Sequence, residues 1–158
     1  FWMDHALSNL LDVIKRVDVI TINDEEARQL TGEHSLVAAA KKIHTMGPEY
    51  VVIKKGEHGA LLFNHSNVFS APGLPLESVF DPTGAGDTFA GGFAGFLAQT
   101  ENITFENMKK AVIYGSTMAS FCVEKFGTDR LESLQPNEIR SRLKAFKELT
   151  QFEIELTS

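Results

Sequence analysis

The apolar residues of this chain follow two alternating spacings, one typical of amphipathic helices and one typical of buried strands. Apolar positions three and four residues apart predict helices over residues 4–16, 36–46, 87–99, 105–125 and 136–149, and a shorter helical pattern ends near Leu30 and Gly32. Short apolar runs predict strands over residues 17–22, 50–53, 60–63 and 68–70, and a further buried strand ending at Val79 and Phe80. This alternation, without a linker or internal repeat, predicts one α/β unit.

Residues 54–59, Lys-Lys-Gly-Glu-His-Gly, separate two of the predicted strands. A glycine-containing segment of this length between two apolar runs is typical of a hairpin, whose strands pair antiparallel. The sheet is therefore predicted to change from parallel to antiparallel pairing at one edge.

The amino-acid composition and net charge of the chain exclude several classes of function. Hydrophobic residues make up 43% of the chain and charged residues 23%, which are ordinary values for a globular domain with a core. The net charge of −6 argues against a nucleic-acid or anionic-membrane surface, and no apolar run reaches the length of a membrane span. Cys122 is alone, so it predicts no internal disulfide, and the five histidines show no metal-ligand spacing. These features favour a cytoplasmic enzyme.

The most informative stretch is residues 84–87, Gly-Ala-Gly-Asp, at the start of the predicted helix over residues 87–99. Gly84 and Gly86 let the backbone curl so that several N–H groups point at one place, and the helix dipole there also favours negative charge. The amides of Gly84, Ala85 and Gly86 are therefore predicted to form an anion hole. A carboxylate in such a loop would repel a resting phosphate, so Asp87 is interpreted as a general base that takes a proton from an attacking hydroxyl.

Other interpretations of this loop are weaker. The chain contains no Walker A sequence, which requires a Gly-Lys-Ser/Thr ending. The third glycine of a dinucleotide-binding fingerprint is replaced by Phe89. A structural alternative stays open: a glycine-capped helix start with Asp87 as an ordinary acidic residue of the first turn.

Residues 23–26, Asn-Asp-Glu-Glu, follow the first predicted strand. By spacing alone, Asn23 is a good helix N-cap and Glu26 completes a capping box.

Taken together, these segments resemble the ribokinase-like (PfkB) carbohydrate kinase family. Its second signature centres on Gly-Ala-Gly-Asp before a helix of small residues, and it also contains an Asn-x-x-Glu motif and a Gly-x-x-Gly turn, which correspond here to residues 84–87, 23–26 and 56–59. Residues 114–122, rich in small side chains, match the helix that borders the adenine in that family.

The resemblance implies a role for each matched residue. Asp87 would be the catalytic base beside the anion hole, and Glu26 would organise Mg²⁺ through water. Asp81 stands where the family often binds a monovalent cation such as K⁺, although Leu131 replaces a frequent hydroxyl residue there. The implied contacts to ATP are Asn23, Lys54, Gly56, Gly59 and Ser116.

The resemblance also implies an architecture: a ribokinase-like, Rossmann-type three-layer αβα sandwich with a mostly parallel sheet and an antiparallel edge. Such kinases are about twice as long, and residues 1–158 correspond to the C-terminal, ATP-binding and catalytic half, without the N-terminal half and its lid. The implied activity is transfer of the γ-phosphate of ATP to a sugar hydroxyl, with a nucleoside acceptor or a noncatalytic nucleotide-binding module as alternatives. The implied partners are ATP, a sugar or nucleoside, the N-terminal half, and a second copy joined through the lid as a homodimer.

Overall fold

A computed structural model describes residues 6–155 of the chain. In chain order its helices are α1 (Leu7–Ile14), α2 (Asp24–Thr31), α3 (Leu36–His44), α4 (Ala85–Thr100), α5 (Phe105–Cys122), α6 (Asp129–Glu132) and α7 (Pro136–Thr150). Its strands are β1 (Val19–Asn23), β2 (Tyr50–Lys54), β3 (Ala60–Phe63) and β4 (Val68–Ala71). The first residues of the helix predicted over 4–16 lie outside the described residues.

The strands form one mixed sheet in the order β1-β2-β3-β4. β1 pairs with β2 in parallel, with Asn23 opposite Lys54. β2 pairs with β3, and β3 with β4, antiparallel. The predicted change of pairing at the hairpin is therefore confirmed.

Helices cover both faces of this sheet. Successive residues of a strand point to opposite faces, and β2 illustrates the division. Tyr50 and Val52 pack with the side chains of α4 and α5, including Phe89 and Phe93. On the other face, the buried residues of β2 and β3 pack with those of α2 and α3; they are Val51, Ile53, Phe63, Ala27, Ala39, Ala40 and Ile43. This is the predicted αβα sandwich.

Glycines let α4 and α5 approach closely. Glycine has no Cβ atom, so neighbouring atoms can occupy the space that a side chain would fill. If Gly115 carried a Cβ, that atom would lie only 2.8 Å from the carbonyl oxygen of Phe89, and a Cβ on Gly92 would lie 2.8 Å from Cγ of Met118. The small residues of both helices thus fix the position of α4, whose first turn carries the Gly-Ala-Gly-Asp sequence.

The strand predicted to end at Val79 and Phe80 is wrong. Residues 72–84 form no strand, and the side chains of Val79 and Phe80 are 56% and 71% exposed. The backbone N–H groups of Phe80 and Asp81 both donate to the carbonyl oxygen of Val123, at 2.8 and 3.3 Å. Because the two amides share one acceptor, this segment docks on the end of α5 and joins no strand ladder.

The C-terminal helices are held by charged side chains. Glu124, just after α5, accepts a hydrogen bond from Arg130 Nε at 2.9 Å and pairs with Arg142 Nη2 at 2.5 Å. Arg142 also stacks over Phe121, with 3.7 Å between its guanidinium carbon and the ring centroid. This network joins α5, α6 and α7. Among residues 6–155, no helix is long and apolar enough to cross a membrane.

Candidate active site

The first turn of α4 carries the residues that the sequence predicts to form an anion hole. Gly84, at the N-cap, has a left-handed backbone (φ 80°) that favours glycine. The N–H groups of Gly84, Gly86 and Asp87 have no acceptor among the described residues, whereas the N–H of Ala85 donates to the carbonyl of Pro82 at 3.2 Å. Gly84, Gly86 and Asp87 therefore offer free donors at a helix start, and Ala85 does not in this arrangement.

Asp87 lies in this first turn with an exposed side chain. Its carboxylate makes no hydrogen bond or ion pair with any described residue. The group is thus accessible to a ligand at the helix start, as a base must be. An exposed acid in a first turn also agrees with the purely structural interpretation, so Asp87 alone does not decide between the two.

Lys54 connects the end of β2 to the same loop. A Cβ on Gly86 would lie 3.2 Å from Nζ of Lys54, so the ammonium group reaches the anion-hole backbone. Nζ has no acceptor or acidic partner among the described residues. A cation without a partner beside free amides is an arrangement suited to a phosphate group.

Asn23 and Glu26 lie at the neighbouring strand end. Asn23 Oδ1 accepts from the N–H of Glu26 at 2.7 Å, and Glu26 Oε2 accepts from the N–H of Asn23 at 3.0 Å. The capping box predicted from their spacing is confirmed. Since Asn23 is opposite Lys54 in the parallel pair β1–β2, the Asn-x-x-Glu segment is beside the lysine that reaches Gly86.

The Gly-x-x-Gly turn forms a short 3₁₀ helix, Gly56–His58, between β2 and β3. Gly56 and Gly59 both have positive φ values, 57° and 83°. A Cβ on Gly59 would overlap the carbonyl oxygen of Ala71, and one on Gly73 would overlap that of Glu57. These glycines let the segment that follows β4 cross the hairpin closely, so packing already explains Gly59.

Asp81 and Ser116 are less directly connected to the loop. Asp81 Oδ1 accepts from the N–H of Thr83 at 2.9 Å, and this hydrogen bond holds the pKa of Asp81 below its ordinary value. Ser116 is half-buried on α5, six residues before Cys122, about 9 Å along a helix axis. Cys122 is the α5 residue that touches the loop, since its Sγ donates to the carbonyl of Thr83 at 3.7 Å.

Two connections of the site were not predicted. The loop before Gly84 is tied to α5 through the backbone carbonyls of Val123 and Thr83, and backbone acceptors leave no signal in a sequence. The network around Glu124 supports the same end of α5, and its members come from separate segments of the chain. Arg130 also pairs with Glu138 of α7, with 2.5 Å between Nη2 and Oε1, but an arginine and a glutamate at this spacing are too common in a sequence to identify the network.

Comparison with known proteins identifies the family of this chain. Residues 1–134 match the pfkB family of carbohydrate kinases. The chain is 41% identical over 86 residues to a cytidine kinase of Thermococcus kodakarensis, covering 53% of the chain and 31% of that enzyme. It is 34% identical over 121 residues to a ribokinase of Haemophilus influenzae, covering 73% of the chain and 38% of that enzyme. The chain thus spans less than half the length of these relatives.

The fold also has close structural counterparts. A crystal structure of aminoimidazole riboside kinase from Salmonella enterica, in complex with aminoimidazole riboside and an ATP analogue, superposes with a TM-score of 0.78. The match covers 89% of this chain and 46% of that one at 23% sequence identity, and supports the fold alone. The ribokinase-like fold predicted from the motifs is confirmed. With the match of residues 1–134, the chain belongs to the pfkB family of carbohydrate kinases.

Proposed function

We propose that this chain carries the ATP-binding and catalytic half of a kinase that transfers the γ-phosphate of ATP to a hydroxyl group of a sugar. The observation that carries the proposal is the position of Lys54 Nζ beside Gly86. It joins three separate sequence motifs at one place: free helix-start amides, an unpaired ammonium group and the Asn-x-x-Glu segment. A glycine-capped helix start that binds no ligand would need neither the lysine nor the Asn-x-x-Glu segment beside it.

The residues suggest the following mechanism. The oxygen of the acceptor hydroxyl attacks the γ-phosphorus, the bond from that phosphorus to the bridging oxygen of ADP breaks, and the hydroxyl proton passes to the carboxylate of Asp87. The amides of Gly86 and Asp87, with Lys54, stabilise the charge that develops on the transferred group. Asp87 then releases the proton to solvent, to which its side chain is exposed.

The metal proposed for this reaction fits the residues present. Mg²⁺ keeps several waters and is held by one or two carboxylates together with substrate phosphates. Glu26 is half-buried and uses Oε2 in the capping box, which leaves Oε1 for a water of the metal. Bound Mg²⁺ would neutralise part of the phosphate charge. A K⁺ ion is also proposed beside Asp81, whose Oδ1 accepts the N–H of Thr83 and whose Oδ2 would face the ion.

The class of substrate that receives the phosphate is inferred from the relatives. The ribokinase favours a sugar, and the cytidine kinase favours the alternative, a nucleoside. Because the chain covers 38% or less of these two enzymes, the contacts that select an acceptor are proposed to lie in the N-terminal half, with the lid through which a homodimer would form. A cytoplasmic location is proposed on the same family basis. A noncatalytic nucleotide-binding module is the second class of function.

The test is the Asp87→Asn variant, made in a protein that contains both halves. We expect ATP binding to persist and turnover with ribose, fructose or a nucleoside to fall by about 10²–10⁴-fold, since the general base is lost. The matched control is Asp12→Asn, which should leave turnover unchanged. Asp12 is an exposed aspartate of α1 whose one ion pair within residues 6–155 is with Lys15. Equal turnover of wild type and Asp87→Asn would refute the assigned base, and ATP binding without phosphorylation of any acceptor would support the noncatalytic module.

A further inference from the structure

The C-terminal end of α5 supports the loop that leads to the anion-hole residues. The N–H groups of Phe80 and Asp81 both donate to the carbonyl oxygen of Val123, at 2.8 and 3.3 Å. Sγ of Cys122 donates to the carbonyl oxygen of Thr83 at 3.7 Å. Two consecutive residues at the end of α5 therefore hold the loop at two points.

Side-chain packing adds little to this hold. Among residues 77–83, every residue except Asp81 is exposed, and Val79 and Phe80 are 56% and 71% exposed. A loop that buries little apolar surface gains little stability from packing, so its hydrogen bonds to α5 fix its position. A shift of the Val123 carbonyl would therefore move the loop and, with it, Gly84 at the N-cap of α4.

The backbone of α5 holds this carbonyl only weakly. The N–H of Val123 donates to the carbonyl oxygen of Ala119 at 3.4 Å, which is beyond the range of about 2.7–3.2 Å that is usual for such bonds. The N–H of Glu124 donates to Phe121 at 3.1 Å, three residues back, which is typical of a tightened last turn. The last turn of α5 therefore needs support from side chains.

Glu124 provides that support through two arginines. Its Oε2 accepts from Arg130 Nε at 2.9 Å, and its Oε1 pairs with Arg142 Nη2 at 2.5 Å. Arg142 also donates from Nη1 to Ser120 Oγ at 3.3 Å and stacks on the ring of Phe121, 3.7 Å from its centroid. Helix α7 thus contacts the last turn of α5 through a single arginine at three places.

We propose that Glu124, held by Arg142, is a positioning residue of the active site: it fixes the last turn of α5, so that the Val123 carbonyl keeps the loop before Gly84 in place. The expected effect on rate rests on the kinase function proposed above. Glu124 acts through its neighbour Val123 and is assigned no contact with ATP or the acceptor. Arg142 lies outside residues 1–134, the part of the chain that matches the family.

The first test is steady-state kinetics of Glu124→Gln in a protein that contains both halves. Glutamine keeps the size of the side chain but loses the charge that the two arginines share. We expect kcat to fall by about 10–10²-fold, since a displacement of about 1 Å in an active site can cost 10²-fold. The KM for ATP should change little, because loss of an interaction that acts only in the transition state lowers kcat and kcat/KM equally.

Variants of Arg142 test whether it acts through Glu124. Arg142→Gln should give the same kinetic change, a lower kcat with little change in KM. Arg142→Lys keeps a cation for Glu124 and should recover part of the rate. The double variant of Glu124→Gln with Arg142→Gln should lose less than the two single losses combined, because coupled residues are not additive. Additive losses would show that the two residues act separately and would contradict the proposal.

Ile43→Val is the matched control for lost stability. Ile43 is fully buried on α3, in the core on the opposite face of the sheet from α5. Removal of a core methyl group lowers stability without touching the loop. This variant should lower the thermal unfolding midpoint and leave kcat unchanged. Equal falls of kcat in Ile43→Val and Glu124→Gln would mean that general instability explains both, and the positioning role would be refuted.

Amide hydrogen exchange tests the positioning without any phosphoryl transfer. The N–H groups of Phe80 and Asp81 should exchange at least ~10-fold faster in Glu124→Gln than in wild type, because an exposed loop exchanges by local opening. Ile43→Val should leave these two rates unchanged. If neither Asp87→Asn nor Glu124→Gln lowers turnover, the kinase mechanism fails. Unchanged exchange at both amides, or unchanged kcat in an enzyme that Asp87→Asn inactivates, would instead overturn the role of Glu124.

Discussion

The ammonium group of Lys54, at the end of β2, lies beside the backbone of Gly86 in the first turn of α4: a Cβ on Gly86 would be 3.2 Å from Nζ. The two residues are 32 positions apart. Their approach depends on the packing of α4 and α5 against the face of the sheet that carries Tyr50 and Val52. This contact places an ammonium group beside the free amides of the helix start, and the proposed phosphate site rests on it.

This relationship predicts that Lys54→Met lowers the turnover of the complete kinase. The change removes a charge-assisted donor from the developing phosphate charge, so we expect kcat to fall by about 10²–10³-fold, the range for loss of one such donor. Lys55→Met is the matched control: Lys55 is the next residue and starts the turn at Gly56. Steady-state kinetics with saturating ATP measure both, and equal effects of the two substitutions would contradict the assigned role of Lys54.

Much of this site was predictable because its residues sit next to element boundaries. The glycine loop, Asn23 at a helix N-cap and the hairpin between β2 and β3 all have local signals, and each appears where its signal predicted it. The strand at Val79 and Phe80 was not predictable in the same way. Two apolar residues before a proline-containing loop resemble a strand end, but the N–H groups of Phe80 and Asp81 find an acceptor in the carbonyl of Val123, just after α5, which no local pattern reveals.

Glu26→Gln separates the metal role of Glu26 from its capping role. Glutamine also accepts in a capping box, so the hydrogen bond to the N–H of Asn23 can persist and α2 should keep its stability. Loss of the negative charge should raise the Mg²⁺ concentration needed for half-maximal rate, which a magnesium titration at fixed ATP measures. An unchanged titration, together with unchanged thermal unfolding, would leave Glu26 as a capping residue only.

The close contact between α4 and α5 predicts opposite effects for two glycine substitutions. Glycine to alanine in a helix ordinarily stabilises by about 0.5–1 kcal/mol, and Gly95→Ala should do so because a Cβ there meets nothing within 4 Å. Gly115→Ala should instead destabilise by about 1–3 kcal/mol, since its Cβ would lie 2.8 Å from the carbonyl oxygen of Phe89 and must push the helices apart. Urea unfolding of the two variants checks this, and a stabilised Gly115→Ala would show that the helices are not in this contact.

Long-range contacts of this kind mark the limit of the sequence analysis. In the sequence, the resemblance implied an adenine contact for Ser116, on the helix of small residues over 114–122. The structure shows that Gly115 meets a neighbouring helix, so tight packing accounts for part of that pattern. The Ser116 contact to ATP stays a prediction.

The network around Glu124 gives a stability prediction with a definite pH dependence. Burial by itself would raise the pKa of Glu124, but hydrogen bonds from Arg130 and Arg142 outweigh it and hold the pKa below its ordinary value. The three side chains are only 25%, 15% and 19% exposed, respectively. Loss of the Glu124 charge would leave the guanidinium of Arg142 without an acidic partner and that of Arg130 with Glu138 alone. Glu124→Gln should therefore cost about 1–3 kcal/mol at pH 7, between the values for exposed and buried pairs.

The sign of the pH dependence follows from the lowered pKa. A carboxylate with a lower pKa in the folded state stabilises that state fully above its unfolded-state pKa, about 4.3, and this contribution is lost as pH falls through the folded value. The difference in unfolding free energy between wild type and Glu124→Gln should therefore be constant from pH 8 to about pH 6 and shrink below about pH 4.3. The control is Glu106→Gln, because Glu106 is 76% exposed and, in the part of the chain that the structure describes, pairs only with Lys109 on its own helix. Its effect should stay below about 0.5 kcal/mol. Denaturant unfolding at several pH values measures both, and a difference for Glu124→Gln that grows on acidification would mean that the arginines do not hold this carboxylate ionised.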